Sequence, residues 1–309
     1  MTVANTISKL LPRQTADWLR PKYHWYFIKR ELTTHGGSFR YDKEFGGWIL
    51  QVQMPDGRNM PVVARTFREF RRVSQFGREA GEPVWKWLNW MDDGSTLYDV
   101  GSANGLEGFT AGHLHGGTVC FIEPYTPSIE TILKTVYFAE QQGSEATFEV
   151  VHAGCSSEEG YSRLEIHGVP LAGLTRNTYG GRESYEEGGG RNRGNPTVKQ
   201  WVKGVTLDCL SDVYGLPKAD YVKIDVDGHE TSVMAGAQQL LKDGCVKSWA
   251  IELTADERID SISQMMLDYG YVIADDYEHY PGTIPRTVDR IFLRPDILDS
   301  WNDFKVALL

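Results

Sequence analysis

The sequence predicts an α/β fold, a mostly parallel sheet flanked by helices with an α+β appendage ahead of it. Three observations carry that reading. From residue 95 onward, short continuous apolar runs alternate with helix-length segments, as a parallel sheet buried on both faces requires. Two of those runs end in an acid, in Thr96-Leu-Tyr-Asp-Val-Gly-Ser-Ala-Asn-Gly105 and in Val119-Cys-Phe-Ile-Glu-Pro124. Residues 36–64 look different, because Gly36-Gly37, Gly46-Gly47 and Pro55-Asp56-Gly57 punctuate short alternating stretches.

Taken in order, residues 5–32 read as one or two helices broken at Pro21. The alternating stretches of 36–64 form a small antiparallel meander with a turn at Asp56-Gly57. Residues 65–91 return to helical spacing, with Phe67, Phe70, Val73 and Phe76 at intervals of three, then Trp85, Leu88 and Met91. Asp92-Asp93-Gly94 closes that piece, which sets an appendage over 1–92 and a main domain over 93–309. In the main domain, strands are expected at 96–100, 118–122, 147–153, 219–226, 247–253, 271–276 and 288–294. Helices are expected at 105–115, 127–141, 230–242 and 256–269, the last two stopped by Gly244 and Gly270. The hydrophobic pattern does not fix the strand order. Residues 156–216 interrupt the alternation, and the Gly-, Glu- and Arg-rich part over 178–196 buries little apolar surface. It reads as a mobile substrate lid or a surface excursion.

Composition narrows the class of function. The chain has 309 residues, 41% of them hydrophobic, and a net charge of -10. That charge argues against a nucleic-acid partner. No apolar run approaches the roughly 18 residues of a membrane span, and the first residues lack a secretory pattern. Four cysteines without a C-x-x-C pair read as reduced thiols and a cytoplasmic protein. Residues 1–40 run against the overall balance, with Lys9, Arg13, Arg20, Lys22, Lys29, Arg30 and Arg40 against Asp17 and Glu31. This aromatic, basic head could touch a membrane surface or an acidic partner, or pack on the acidic main domain.

The chemistry sits at the strand ends. Gly101 and Gly105 let backbone approach a ligand closely, and the helix that follows offers unpaired N–H groups. Glu123 stands where a βαβ unit holds a ribose diol. The spacing is D-x-G-x-x-x-G, and Asp99 would repel a pyrophosphate. A nucleoside with a positive charge and an amino acid suits the turn better, and S-adenosylmethionine is such a ligand. Glu123 then takes the ribose and Asp99 the methionine amino end. The turn Gly101, Ser102, Asn104 and Gly105 lies along the methionine part, and Pro124, Tyr125, Ala153 and Gly154 form the adenine wall. A second cluster, Lys223-Ile-Asp-Val-Asp-Gly-His-Glu230, ends the fourth strand and opens a helix. Ligands bind at the carboxyl ends of such strands, so Asp225, Asp227 and His229 face the same opening. Glu252 ends the fifth strand between apolar neighbours. With Asp225 and Asp227 it offers three hard oxygens, a possible Mg²⁺ set, or it forms a salt bridge.

As a set, Tyr98-Asp-Val-Gly-Ser-Ala-Asn-Gly105, Phe121-Ile-Glu-Pro124, Val205-Thr-Leu-Asp208, Lys223-Ile-Asp-Val-Asp-Gly-His-Glu230 and Ala250-Ile-Glu-Leu253 resemble the FkbM family of S-adenosylmethionine-dependent methyltransferases. The resemblance covers roughly residues 95–295. It implies a Rossmann-like class I methyltransferase sandwich of seven strands, with an antiparallel last strand. It also implies methyl transfer to an oxygen, often a hydroxyl of a sugar or natural-product scaffold. Two departures are visible: Ser102-Ala103 replaces the usual Ala-Asn order, and Asp227 stands where Glu is common. His229 is the first choice of general base, since its ordinary pKa lies near working pH, followed by Asp227 and Asp225. A nicotinamide-dependent dehydrogenase on the same sheet, or a non-catalytic protein acting through its basic head, is the alternative.

Overall fold

The computed structural model describes residues 37–75, 83–174, 177–180, 196–254, 256–279 and 287–307. The expected helices of 5–32, the basic head up to residue 36, and most of the Gly-rich segment (181–195) lie outside the described residues. The chain divides into two compact units, Met1–Arg78 and Glu79–Leu309.

In the first unit, β1 (Ser38–Asp42), β2 (Gly47–Gln53) and β3 (Asn59–Ala64) form an antiparallel sheet in the order β1-β2-β3. Helix α1 (Phe67–Gln75) follows. Its Phe70 is fully buried and meets Phe39 and Trp48 edge-on. Leu50, Met60, Val62 and Val73 are buried in the same unit.

The second unit opens with α2 (Pro83–Trp90), then β4 (Thr96–Val100), α3 (Leu106–His115), β5 (Thr118–Ile122), α4 (Thr126–Gln141) and β6 (Thr147–Val151). Helix α2 was expected in the appendage, but it packs with the sheet. Its buried Trp87 donates Nε1–H to Ser248 Oγ at 2.7 Å and meets the Tyr221 ring at 5.9 Å. Ser248 Oγ in turn donates to the Phe292 carbonyl at 2.8 Å. Ser248→Ala is expected to leave the buried indole N–H without its acceptor, a cost of about 1–3 kcal/mol, read as a lower melting temperature.

The chain then leaves the main sheet. Strands β7 (Gly154–Cys155), β8 (Gly160–Ile166), β9 (Thr178–Tyr179) and β10 (Val198–Val205) form a second sheet in the order β7-β10-β8-β9. Its inner face, with Leu164, Ile166, Tyr179 and Val202, closes over Tyr125. The interrupting segment is therefore ordered on both sides of the undescribed stretch. Helix α5 (Leu207–Asp212) leads back to β11 (Tyr221–Ile224), α6 (Glu230–Ala235), α7 (Gln238–Asp243), β12 (Ser248–Thr254), α8 (Asp256–Asp268), β13 (Val272–Glu278), β14 (Thr287–Leu293) and α9 (Leu298–Ala307).

The main sheet has the order β13-β14-β12-β11-β4-β5-β6. Strands β12, β11, β4, β5 and β6 pair in parallel, and β14 runs antiparallel between β12 and β13. The continuous apolar runs are central: every residue of β4 and β11 is buried. Strand β6 is less covered and lies at the edge. Strands β5 and β6 are added on one side of β4, and β11 and β12 on the other. The strand order therefore switches between the parallel β4 and β11, and a crevice is expected beyond Val100 and Ile224, the place where open α/β sheets bind ligands.

Candidate functional site

The turn after β4 is fixed by backbone geometry. Gly101 has φ +75°, and a Cβ there would stand 1.9 Å from the Asp225 carbonyl oxygen. Gly101 N–H donates to Ile122 O at 2.9 Å, and Asp225 N–H donates to Val100 O at 3.0 Å. The turn is thereby clamped between the ends of β5 and β11. Ser102, fully buried, donates its hydroxyl to Asp99 O at 2.6 Å. Gly105 precedes α3 with φ +75°. Between them, Asn104 is 2% exposed, and neither polar atom of its amide has a partner among the described residues. A buried amide left this way costs free energy unless a ligand completes it.

Asp99 points inward, contrary to the expectation that it faces the ligand. It is 0% exposed. One oxygen accepts from Gly108 N–H at 3.2 Å, and the other meets Lys223 Nζ at 3.2 Å. Lys223 is its register partner on β11 and also lies 3.8 Å from Asp225. Burial pushes the Asp99 carboxyl upward against the pull of Lys223. The carboxylate thus ties α3, β4 and β11 together beneath the turn.

Glu123 spans the gap from β5 to the turn. Its Oε2 accepts from Ala103 N–H and its Oε1 from Tyr125 N–H, both at 2.7 Å. Ala103 adopts φ +50°, unusual for a residue with a side chain, and this aims its N–H at the carboxylate. Burial raises Glu123 to about 7, opposed by those two bonds. Each oxygen retains a lone pair for a further donor. Pro124 O accepts from Gln200 Nε2 at 3.1 Å, which links the strand end to the second sheet. Ala153 and Gly154 are buried, and Gly154 lies beneath the Tyr179 ring, 2.6 Å from where its Cβ would be. Gly154 is therefore a packing position for Tyr179.

The stretch after β11 forms the other wall. Asp227 adopts φ +54° and Gly228 φ +110°, a sharp turn into α6. Glu230, fully buried, accepts from Gly228 N–H at 2.7 Å; burial raises it to about 7. Arg258 donates to the Gly228 carbonyl and lies 4.0 Å from Glu230. The Tyr179 ring stands edge-on to His229 at 5.3 Å. His229 is not poised near neutral pH as expected. Burial, helped by Arg258, lowers it to about 4, and its buried Nε2 has no partner among the described residues.

Glu252 sits opposite Asp289 in the β12–β14 register. The charge of Asp225, then burial, raises its pKa well above the usual range. His279 Nε2 lies 2.9 Å from Asp289 and 3.9 Å from Glu252. Among the described residues, one ligand atom each from Glu252, His279 and Asp289 lies within 4.8 Å of the others. The expected set of Asp225, Asp227 and Glu252 does not group this way; Glu252 turns toward β14.

Comparison with known proteins adds a direct finding. A family described as "Methyltransferase FkbM domain" matches residues 99–273. The chain belongs to the FkbM methyltransferase family. The FkbM match runs from Asp99 through β12 and α8 into β13, so it contains the turn, Glu123 and the 223–230 stretch. The sheet is the class I methyltransferase arrangement. Among solved structures, the chain is similar to Methyltransferase FkbM from Methylobacillus flagellatus, at 14% identity and a TM-score of 0.43. That match covers 73% of this chain and 55% of the other, so the chain spans just over half the length of that relative. It is also similar to Aeropyrum pernix fibrillarin with natively bound S-adenosyl-L-methionine (11% identity, 83% and 98% covered, TM-score 0.38). A third similar structure is M. capricolum TrmK with S-adenosyl-homocysteine (8% identity, 68% and 66% covered, TM-score 0.38). No curated protein matches in sequence.

Three side chains at or near the strand ends of this FkbM chain carry no clear signal in the sequence. Tyr179 lies beside the Gly-rich stretch, where nothing in the pattern marks a strand. His279 follows β13 with no periodic signal. Asp289 interrupts the apolar run of β14, the one available clue. No helix among the described residues is long and apolar enough to cross a membrane.

Proposed function

We propose that this chain transfers the methyl group of S-adenosylmethionine to a hydroxyl oxygen of a small molecule, a sugar or natural-product scaffold. The observation that carries the reading is the buried Asn104 amide, unpartnered in a turn whose glycine-shaped backbone meets the anchored Glu123. A ligand with both donors and acceptors completes that amide, and a ribose diol suits the spare lone pairs of Glu123. Two solved proteins similar in fold hold S-adenosyl-L-methionine or S-adenosyl-homocysteine, which agrees with this choice. Gly101, Ser102, Asn104 and Gly105 line the methionine side, with Pro124, Tyr125 and Ala153 toward the base. Asp99 acts beneath the turn through Lys223 and Gly108. The net charge of -10 favours a small acceptor over a nucleic acid.

When bound, the sulfonium supplies an activated methyl group. The chain's own task is then to hold an acceptor hydroxyl in line and remove its proton. His229 is assigned that role because its Nε2 lacks a partner and the Tyr179 edge fixes its ring. The imidazole is neutral above about 4 and can accept the hydroxyl proton. The acceptor oxygen would take the methyl group of S-adenosylmethionine held by Glu123 and the Gly101–Gly105 turn, with the C–S bonding pair left on sulfur. Asp227 and then Asp225, on the same stretch after β11, are the alternative acceptors of the proton.

His229→Ala is expected to lower turnover by about 10²–10⁴-fold and leave cofactor affinity unchanged, read by methyl-release kinetics beside calorimetry. The acceptor class is tested by mass spectrometry of hydroxylated metabolites incubated with enzyme and cofactor, seeking the mass of one added methyl. Wild-type turnover in His229→Ala removes this residue from the mechanism, and product methylated only at nitrogen or carbon rejects the oxygen assignment.

A further inference from the structure

Away from the turn, β12, β14 and the residue just after β13 bring together a second group of donors. We propose that Glu252, His279 and Asp289 bind a first-row divalent cation of the Mn²⁺, Fe²⁺ or Zn²⁺ class. Three separate chain segments supply the donors, and the cross-strand register of Glu252 with Asp289 puts both carboxylates on the same side of the sheet. His279 Nε2 stands 2.9 Å from the Asp289 oxygen and 3.9 Å from that of Glu252. Ligand atoms about 2.0–2.2 Å from one ion lie roughly 3–3.6 Å from each other, so a small closing movement of Glu252 completes the set.

The surroundings call for a cation. His279 Nε2 lies within ion-pair distance of both carboxylates. Lys223 is held by Asp99 and Asp225, and Arg258 by Gly228 O and Glu230. Two largely buried carboxylates therefore share one imidazole. His279 Nε2 faces both carboxylates, where an ion would sit among all three. An imidazole among oxygens favours transition metals over Mg²⁺ or Ca²⁺, which take all-oxygen shells. Glu252 lies within the residues matched by the family, and His279 and Asp289 lie beyond them. On the function proposed above, the ion would also polarise an acceptor hydroxyl near Asp225; its binding does not depend on that reading.

The test is calorimetric titration of the chelator-treated full chain with MnCl₂, ZnCl₂ and MgCl₂, with no cofactor present. One ion per chain is expected, with Mn²⁺ or Zn²⁺ tighter than Mg²⁺ by about ten-fold or more. At saturation the melting temperature is expected to rise by about 5 °C. His279→Ala and Asp289→Asn should each weaken binding by about ten-fold or more, while Glu130→Gln on α4 should not. Circular dichroism checks each fold. Should a variant not fold, pulsed EPR of wild-type protein with Mn²⁺ decides, because nitrogen modulation from a bound imidazole is expected. No binding, unchanged binding in both folded variants, or a Mn²⁺ signal without nitrogen coupling overturns the site. Cofactor affinity, measured separately, tells this failure from a failure of the methyltransferase reading.

Discussion

Gly101→Ala is expected to lower stability by about 4 kcal/mol and to abolish cofactor binding. Two effects add. The residue sits at φ +75°, where a side chain costs about 1 kcal/mol or more. A Cβ would also lie 1.9 Å from the Asp225 carbonyl oxygen and 2.8 Å from its carbon. Those are backbone atoms at the end of β11 and cannot swing aside. Relief requires the ends of β4 and β11 to part, which breaks the Asp225 N–H bond to Val100 O and loosens the Asp99–Lys223 pair. Overpacking of this kind costs about 1–3 kcal/mol even where side chains can adjust. Thermal denaturation should show a melting temperature lower by about 10 °C. A variant that melts with the wild type and binds cofactor normally would mean that the turn is not clamped as described.

Glu123→Ala is expected to weaken S-adenosylmethionine binding by about 100-fold or more while leaving the fold intact. Hydrogen bonds to a charged acceptor contribute about 1.5–3 kcal/mol each, and a diol makes two. Glu123→Gln should fall between, since one acceptor remains. The pH dependence gives a second readout. The carboxyl is raised from 4.5 to about 7 by burial, so below about 7 it carries a proton and loses acceptor capacity. Affinity should fall as pH drops through 7, by up to about ten-fold per unit, and this inflection should vanish in Glu123→Gln. The same shift acts on the empty protein with opposite sign. Between 4.5 and 7 the folded state binds more protons at this site than the unfolded chain, so Glu123 makes folding less favourable as pH rises through that window. Bound cofactor offsets that loss by using the ionised form.

The main sheet was legible because its signal is strong and local. Strands β4, β5, β11 and β12 are buried on both faces, so their sequences read as unbroken apolar runs. The acid or acidic cluster ending each run marks the ligand side directly. Strand order was not legible, since the crossover from β6 to β11 depends on the segment between them. That segment hid a second sheet: β8 exposes Tyr161 and β10 exposes Trp201, so apolar residues fall on both faces and blur the alternation. Its importance for the site lies in Tyr179, in a strand of two residues, too short for any periodic signal. The inward direction of Asp99 was also hidden. The run Leu97-Tyr-Asp-Val100 gives no phase, because β4 is buried on both faces, and the deciding partner, Lys223, lies 124 residues away. His229 was legible as a site residue, but the depth of its burial was not, and burial sets its protonation.

The claim on which the rest stands is that the crevice at the carboxyl end of β4, flanked by the ends of β5 and β11, takes a sulfonium nucleoside. The most direct measurement is calorimetric titration of the folded chain with S-adenosylmethionine, beside titrations with S-adenosylhomocysteine and a nicotinamide dinucleotide. The expected result is binding of one S-adenosylmethionine per chain, weakened by Glu123→Ala and unaffected by the dinucleotide. No heat with S-adenosylmethionine, or saturable binding of the dinucleotide that Glu123→Ala removes, would contradict the account.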